Sequence, residues 1–293
     1  MNFIGINNIY KKYNTKEVLK DIDFHLDGGM IGLLGNNGAG KTTLMNIITG
    51  LIKPTKGKIT INSKDINENL IEYKKMIGYL PQEFNLYDEL NGYQMLDYIA
   101  QLNGILDKKT RQFRILSVLE QTNLKDVCKE KISGYSGGMK RRLGIGIVLV
   151  KDPKFIIVDE PTAGLDPLER VNFRNILTLL SETKTILLST HIVDDISVSC
   201  NKIVFLNNKK IEFIGTPEAW ENTVSQKVGE IEVTDDATID YLQRTTQVTS
   251  ISKQNGNTVI RFIYKDRPDC IDFRERRANL EDAFIYHSKY GKA

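Results

Sequence analysis

Gly35-Asn36-Asn37-Gly38-Ala39-Gly40-Lys41-Thr42 is the stretch on which the reading of this chain turns. It follows an apolar run, Met30 to Leu34, and opens the segment Lys41 to Gly50, where Leu44, Ile47 and Ile48 fall on one helical face. A buried-type strand, a glycine-rich turn and an amphipathic helix in that order match the phosphate-binding pattern G-x-x-x-x-G-K-[ST] at every defined position. Glycines let the backbone curl so that successive N–H groups point inward, and the helix aims the positive end of its dipole at the same place. Lys41 supplies a point charge for β and γ phosphates, and the Thr42 hydroxyl suits Mg²⁺. Asn36, Asn37, Ala39 and Thr43 complete the residues expected around a nucleotide.

Downstream, Phe155-Ile-Ile-Val-Asp159-Glu160 supplies the complementary half. A continuous apolar run reads as a strand covered on both faces. Asp159 at its end is placed to hold Mg²⁺, and Glu160 to polarise a water opposite the γ-phosphate. Taken alone, such an acidic pair merely terminates a strand; joined to the loop at 35–42 it becomes specific. Between them, Tyr135-Ser136-Gly137-Gly138-Met139 precedes Lys140-Arg141-Arg142 and an apolar helical stretch. Ser136 resembles an N-cap, and two glycines at a helix start again form a surface friendly to anions. The chain thus holds two phosphate-type cradles. Either the second is a plain helix cap, or it serves a nucleotide held elsewhere. The basic triplet reads as a solvated face of the helix rather than a nucleic-acid patch.

Around these motifs the chain divides. Its 293 residues suggest about two compact domains. With 41% apolar and 26% charged residues it is neither disordered nor a disulfide scaffold. A net charge of +3 is too small to make nucleic acid the main partner. No apolar run approaches the ~18–20 residues that span a bilayer, and Met1-Asn-Phe-Ile-Gly-Ile carries no secretory pattern. Cys128, Cys200 and Cys270 lack metal-binding spacing and read as packed thiols.

The beginning is β-rich, with Phe3–Ile6, Ile22–Leu26 and Met30–Leu34 as strands; strand–helix alternation then points to a parallel sheet. Residues 90–124 break the rhythm with two helical patterns, one presenting Leu96, Ile99, Ala100 and Asn103, the other Phe113, Leu116 and Leu119. Strands return at Phe155–Val158, Thr185–Leu188 and Lys202–Leu206, and Asn207-Asn208 with Ile211–Ile214 suggests a hairpin. Thr216-Pro217 reads as a helix start. After about residue 225 the composition turns polar and β-branched. Asn255-Gly256 predicts a hairpin between Val248–Ser252 and Thr258–Ile263, and Asn279 caps a last helix, Leu280 to Tyr290.

These motifs resemble the ATP-binding-cassette family, over roughly residues 1–220. Ser136, Gly137 and Gly138 match its signature, with Met139 and the basic run typical of the drug-, lantibiotic- and polysaccharide-exporter branches. Tyr13 falls where an aromatic stacks on adenine; without that match it would be a strand-end aromatic. Gln82 in Tyr79-Leu-Pro-Gln-Glu83 fits the glutamine loop and would contribute to the metal, Asp166 fits the aspartate loop, and His191 in Ser189-Thr-His191 fits the switch histidine. Asn36 and Tyr135 depart from the usual proline and leucine, but neither position contacts phosphate by its side chain in the family pattern.

The resemblance implies an α/β fold: a P-loop NTPase cassette at 1–224 with a β-rich N-terminal subdomain, a parallel-sheet core and an inserted helical subdomain at about 83–150. A small α+β appendage at 225–293 would follow. It further implies ATP and Mg²⁺ as cofactors, catalytic roles for Glu160, His191 and Gln82, and a head-to-tail dimer with a second copy or a paralogous cassette, Ser136 completing the opposite site. The work would be transport, in the export direction, through a separate transmembrane permease at the cytoplasmic face. The cargo would then be chosen by that separate subunit. The alternative is a cassette ATPase acting on ribosome or DNA. Against it stand a single phosphate loop and signature, and no sustained heptads between Lys41 and Ser136. A guanine-reading NKxD is absent, which disfavours a GTPase.

Overall fold

The computed structural model describes residues 3–254, 257–268 and 271–291. The chain opens with β1 (Ile4–Tyr13), β2 (Lys16–Leu26), β3 (Met30–Leu34) and α1 (Lys41–Ile48). Then come β4 (Lys56–Ile61), β5 (Lys64–Asp65), α2 (Leu70–Met76) and β6 (Ile77–Leu80). Three helices follow, α3 (Gly92–Leu102), α4 (Lys108–Gln121) and α5 (Gly137–Leu149). The central part continues through β7 (Phe155–Asp159), α6 (Pro167–Ser181), β8 (Thr185–Thr190), α7 (Val193–Ser199), β9 (Lys202–Asn207), β10 (Lys210–Gly215) and α8 (Pro217–Asn222). Last are β11 (Val228–Val233), α9 (Asp236–Thr245), β12 (Gln247–Gln254), β13 (Asn257–Ile263), β14 (Arg274–Glu275) and α10 (Leu280–Tyr290).

Burial separates the sheets. In β2 the buried Leu19, Ile22, Phe24 and Leu26 alternate toward the strand's end with exposed residues, as in an antiparallel strand with one wet face. It belongs to the antiparallel sheet β2-β1-β4-β5. Strands β3, β7 and β8 are buried at every residue, the mark of parallel strands covered on both faces. They form the six-stranded sheet β10-β9-β3-β8-β7-β6, parallel except for β10 at its edge. Ile4, Ile6, Ile22 and Phe24 pack with Ile31, Leu33, Leu44 and Ile157 between the two sheets. The other face carries α3 to α6. This is the α/β cassette expected, with its β-rich start and inserted helices.

Several local expectations change. Strands β4, β6 and β11 and helices α2, α6, α7 and α9 carried too little pattern to be marked. In α4, Phe113 is 74% and Leu116 49% exposed, while Ile115, Val118 and Leu119 face the core. Both sets fit a helical period, and only tertiary packing chooses between them. In α3, Leu96 and Ala100 are buried but Asn103 is exposed.

Beyond α8, β12-β13-β11-β14 form an antiparallel sheet, and Val233, Leu242, Ile260, Phe262, Tyr264 and Phe273 make its own core. Strands β12 and β13 pair as the hairpin reading requires, but Asn255-Gly256 lies outside the described residues, as does Cys270. Cys200 is buried and Cys128 half-buried, both free. Asn279 caps α10 in a reciprocal box with Asp282. The helix bridges two parts of the chain: Asp282 pairs with Arg261 of β13 at 2.5 Å, while Leu280 and Ala283 join the large core. His287 stacks on Trp220 with ring centroids 5.8 Å apart and is hydrogen-bonded to Thr223 Oγ1 at 2.7 Å.

Candidate active site

Open parallel sheets offer their carboxyl ends, at the point where strand order reverses, as a ligand crevice. Here β3 lies between β9 and β8, and the loops leaving β3, β6, β7 and β8 carry Gly35 to Thr42, Gln82, Glu160 and His191. The loop after β3 must be glycine for two separate reasons. A Cβ on Gly35 would lie 2.4 Å from the Leu206 carbonyl oxygen, and Gly40 has φ 109°, which L residues rarely adopt. Ala39 N–H donates to Asn36 O at 3.1 Å, closing the turn, while Asn36, Asn37 and Gly38 stay exposed.

Lys41 opens α1 and is 6% exposed. Its ammonium reaches back over the loop to donate to Gly35 O at 2.7 Å and Asn36 O at 3.4 Å. It also stands 3.5 Å from Glu160 Oε1. Thr42 Oγ1 donates to Asp159 Oδ2 at 2.9 Å, while Asp159 Oδ1 is buried and finds no partner among the described residues. Burial raises the Asp159 carboxyl above its usual range, and the Thr42 hydrogen bond opposes this. A hydroxyl beside an incompletely satisfied carboxylate suits a hard cation. Among the described residues no three His, Cys, Asp or Glu side chains form a metal cage. Mg²⁺ takes one or two protein ligands and fills its shell with phosphate oxygens and water.

Glu160 follows immediately, 6% exposed and at φ 46°. The left-handed conformation costs a non-glycine residue about 1–3 kcal/mol, a strain found most often at functional sites. Its N–H donates to Ser189 O at 2.9 Å. Its Oε2 lies 2.6 Å from His191 Nδ1. One carboxylate therefore touches both the loop lysine and the histidine after β8.

The remaining predicted residues sit around this centre. Gln82 is exposed and shares a cleft with Phe84, Gly137, Arg141 and Leu165. Tyr13 ends β1, with Lys11 Nζ 4.8 Å from its ring centroid. Asp166 caps α6 by accepting from Glu169 N–H at 2.9 Å, and Ser136 caps α5 by accepting from Met139 N–H at 3.1 Å. Thr43 is half-buried in the first turn of α1. Ser136, Gly137 and Gly138 make no hydrogen bond to the loop at 35–43 among the described residues.

The basic triplet is not the solvated face expected. Arg141 is 8% exposed, Arg142 pairs with Glu169 at 2.8 Å, and Lys140 pairs with Asp88 at 3.2 Å. Arg141 Nη2 donates to Glu160 O at 2.7 Å, Nε to Pro161 O at 2.6 Å and Nη1 to Gln82 O at 2.9 Å. Burial lowers its pKa from the ordinary value, and the Asp159 charge opposes this. Sequence reasoning missed this residue because its partners are backbone carbonyls, which any residue type supplies.

Comparison with known proteins identifies the family. The family profile described as ABC transporter matches residues 19–163. The uncharacterised ABC transporter ATP-binding protein YxlF of Bacillus subtilis (strain 168) is 30% identical, over 96% of this chain and 98% of its own. The linearmycin resistance ATP-binding protein LnrL of the same organism is 36% identical, over 71% of this chain and 68% of its own. Among solved structures, the dimeric bacterial ABC transporter cassette MJ0796 superposes with a TM-score of 0.64 at 26% identity, over 73% of this chain and 98% of that one. The chain belongs to the ABC transporter family, as an ATP-hydrolysing cassette and the ATP-binding subunit of a transporter.

Proposed function

We propose that this subunit closes on Mg·ATP with a second cassette, itself or a paralogue, and drives export through a separate transmembrane permease on the cytoplasmic face. The observation that carries the reading is the Glu160 carboxylate held between Lys41 at 3.5 Å and His191 at 2.6 Å. In this reading the loop N–H groups and Lys41 bind the β and γ phosphates, while Tyr13 stacks on the adenine. Thr42 and Asp159, with Gln82, would hold Mg²⁺, which supplies neutralisation of phosphate charge when bound. Glu160 accepts hydrogen bonding from the attacking water and polarises it, and His191 orients that carboxylate and faces the γ-phosphate. Ser136 and Gly137, exposed and unbonded to their own phosphate loop among the described residues, complete the site of the other copy together with the buried Gly138 behind them, with Asp166 beside the seam.

Three further facts support the assembly. No helix among the described residues is long and apolar enough to cross a membrane, so a transporter needs a membrane partner from elsewhere. The solved relative MJ0796 is a dimer, and LnrL carries resistance to linearmycin in its name, which favours export over import.

Glu160→Gln tests the reading. The variant is expected to lose steady-state hydrolysis while retaining Mg·ATP and eluting as an ATP-dependent dimer. Wild-type turnover, or a chain that stays monomeric with ATP, would reject it.

A further inference from the structure

Arg141 is buried beside the acidic centre, yet it pairs with no carboxylate at ion-pair distance among the described residues. Every hydrogen bond of its guanidinium goes to a backbone carbonyl on one of two loops. Nη2 and Nε hold Glu160 O and Pro161 O, directly after β7; Nη1 holds Gln82 O, with Pro81 O at 3.5 Å, directly after β6. The fork is seated by Phe84, whose ring centroid lies 5.5 Å from Arg141 Cζ. The tip of that ring rests on Gly144, where a Cβ would come within 2.5 Å of Phe84 Cζ. One turn of α5 thus grips both loops at once.

The grip falls where orientation counts. Glu160 has φ 46°, and its carbonyl direction and side-chain direction are set by the same peptide geometry. Holding the carbonyl fixes where the carboxylate leaves the backbone. A planar guanidinium can serve three carbonyls in a fixed fork, whereas an ammonium is a compact point charge whose three donors rotate on a flexible stem. Ser136, the cap of α5, lies five positions upstream on the same element.

We propose that Arg141 is a positioning residue for ATP hydrolysis. Through the Glu160, Pro161 and Gln82 carbonyls it sets the pose of the Glu160 carboxylate and ties that pose to the seat of α5, the helix that offers Ser136 to the second cassette. The proposal rests on the role given to Glu160 above. It makes the nucleotide held against Ser136 mechanically audible at the neighbouring hydrolytic site, through one rigid helix.

The test uses the full chain with Arg141→Lys and Arg141→Met beside Glu160→Gln, reading kcat, KM and equilibrium binding of a fluorescent ATP analogue. Arg141→Lys keeps the charge and the stem, so it decides the matter should Arg141→Met fail to fold. The expected result for Arg141→Lys is a kcat lowered about 10²-fold at nearly unchanged KM and nucleotide binding, the scale of loss from a misplaced catalytic group. In single-turnover measurements, adding Arg141→Lys to Glu160→Gln is expected to lower the residual rate far less than it lowers the wild-type rate, because both act on one carboxylate. A wild-type kcat in Arg141→Lys beside an inert Glu160→Gln would overturn this proposal alone. So would a loss confined to KM, or an equal factor in both backgrounds. Normal turnover in Glu160→Gln would instead remove the reading on which it stands.

Discussion

His191 Nδ1 lies 2.6 Å from Glu160 Oε2, so the imidazole that follows β8 orients the carboxylate that follows β7. The carboxylate is buried; the imidazole is about half exposed. Removing the ring leaves the phosphate loop untouched and frees Glu160 to turn. His191→Ala is expected to lower kcat for ATP about 10²–10⁴-fold. Nucleotide affinity should change by less than about threefold, since binding and chemistry are separable terms. Rate and titration measurements on one preparation check this; lost affinity with an intact kcat would contradict it.

The glycines of the phosphate loop are expected to differ in kind. Gly35→Ala forces a Cβ to 2.4 Å from Leu206 O, whereas Gly38 has φ 80° with nothing within 4 Å. Overpacking against backbone should cost Gly35→Ala about 1–3 kcal/mol. Gly38→Ala should cost about 1 kcal/mol, from conformation alone. Urea unfolding of the two variants measures the difference, and equal losses would show that the close approach is relieved by movement of β9.

Leu119 and Phe113 sit on one helix and face opposite fates. Leu119 is fully buried and Phe113 is 74% exposed. Leu119→Ala should destabilise by about 2–5 kcal/mol through the cavity it leaves. Phe113→Ala should stay within about 0.5 kcal/mol of wild type. Denaturant midpoints at constant m-value report both.

Acid is expected to loosen the docking of α10. Burial against Trp220 and Thr223 holds the His287 pKa below its ordinary value. The unfolded chain therefore takes up the proton more readily, and the contribution of this group is complete above about pH 6.5. It falls away as pH drops from there through the folded value. Urea midpoints at about pH 7.5 and 5.5 should differ less in His287→Gln than in wild type. An unchanged difference would mean that other groups carry the pH dependence.

The sequence exposed those parts of the fold whose chemistry constrains residue type. A loop that must turn its N–H groups inward requires Gly38 and Gly40, both at positive φ, and the strand ending in Asp159 is apolar because both faces are covered. Caps were equally legible: Ser136, Thr216 and Asn279 each accept a backbone N–H three residues on. Arg141 was not, because carbonyl partners leave no trace in residue identity. Phe113 misled because α4 has two stripes of helical period, and packing against α3 and α5 selects Ile115 and Leu119. The short strands β4 and β6 are defined by their neighbours in the sheet, not by alternation of their own.

The returning course of α10 has a mechanical consequence. Among the described residues the sheet β12-β13-β11-β14 meets the rest of the chain through Val228, just after α8, through the Arg277–Glu221 pair, and through Leu280 and Ala283 of α10. A segment on one tether swings freely; a segment pinned at several points turns only with its mount. The mount includes Phe205 of β9, 5.9 Å from Phe284, and β9 lies directly against β3, the strand that delivers Gly35. A load applied to this outlying sheet is therefore expected to reach the strand beneath the phosphate loop through α10, Phe205 and β9.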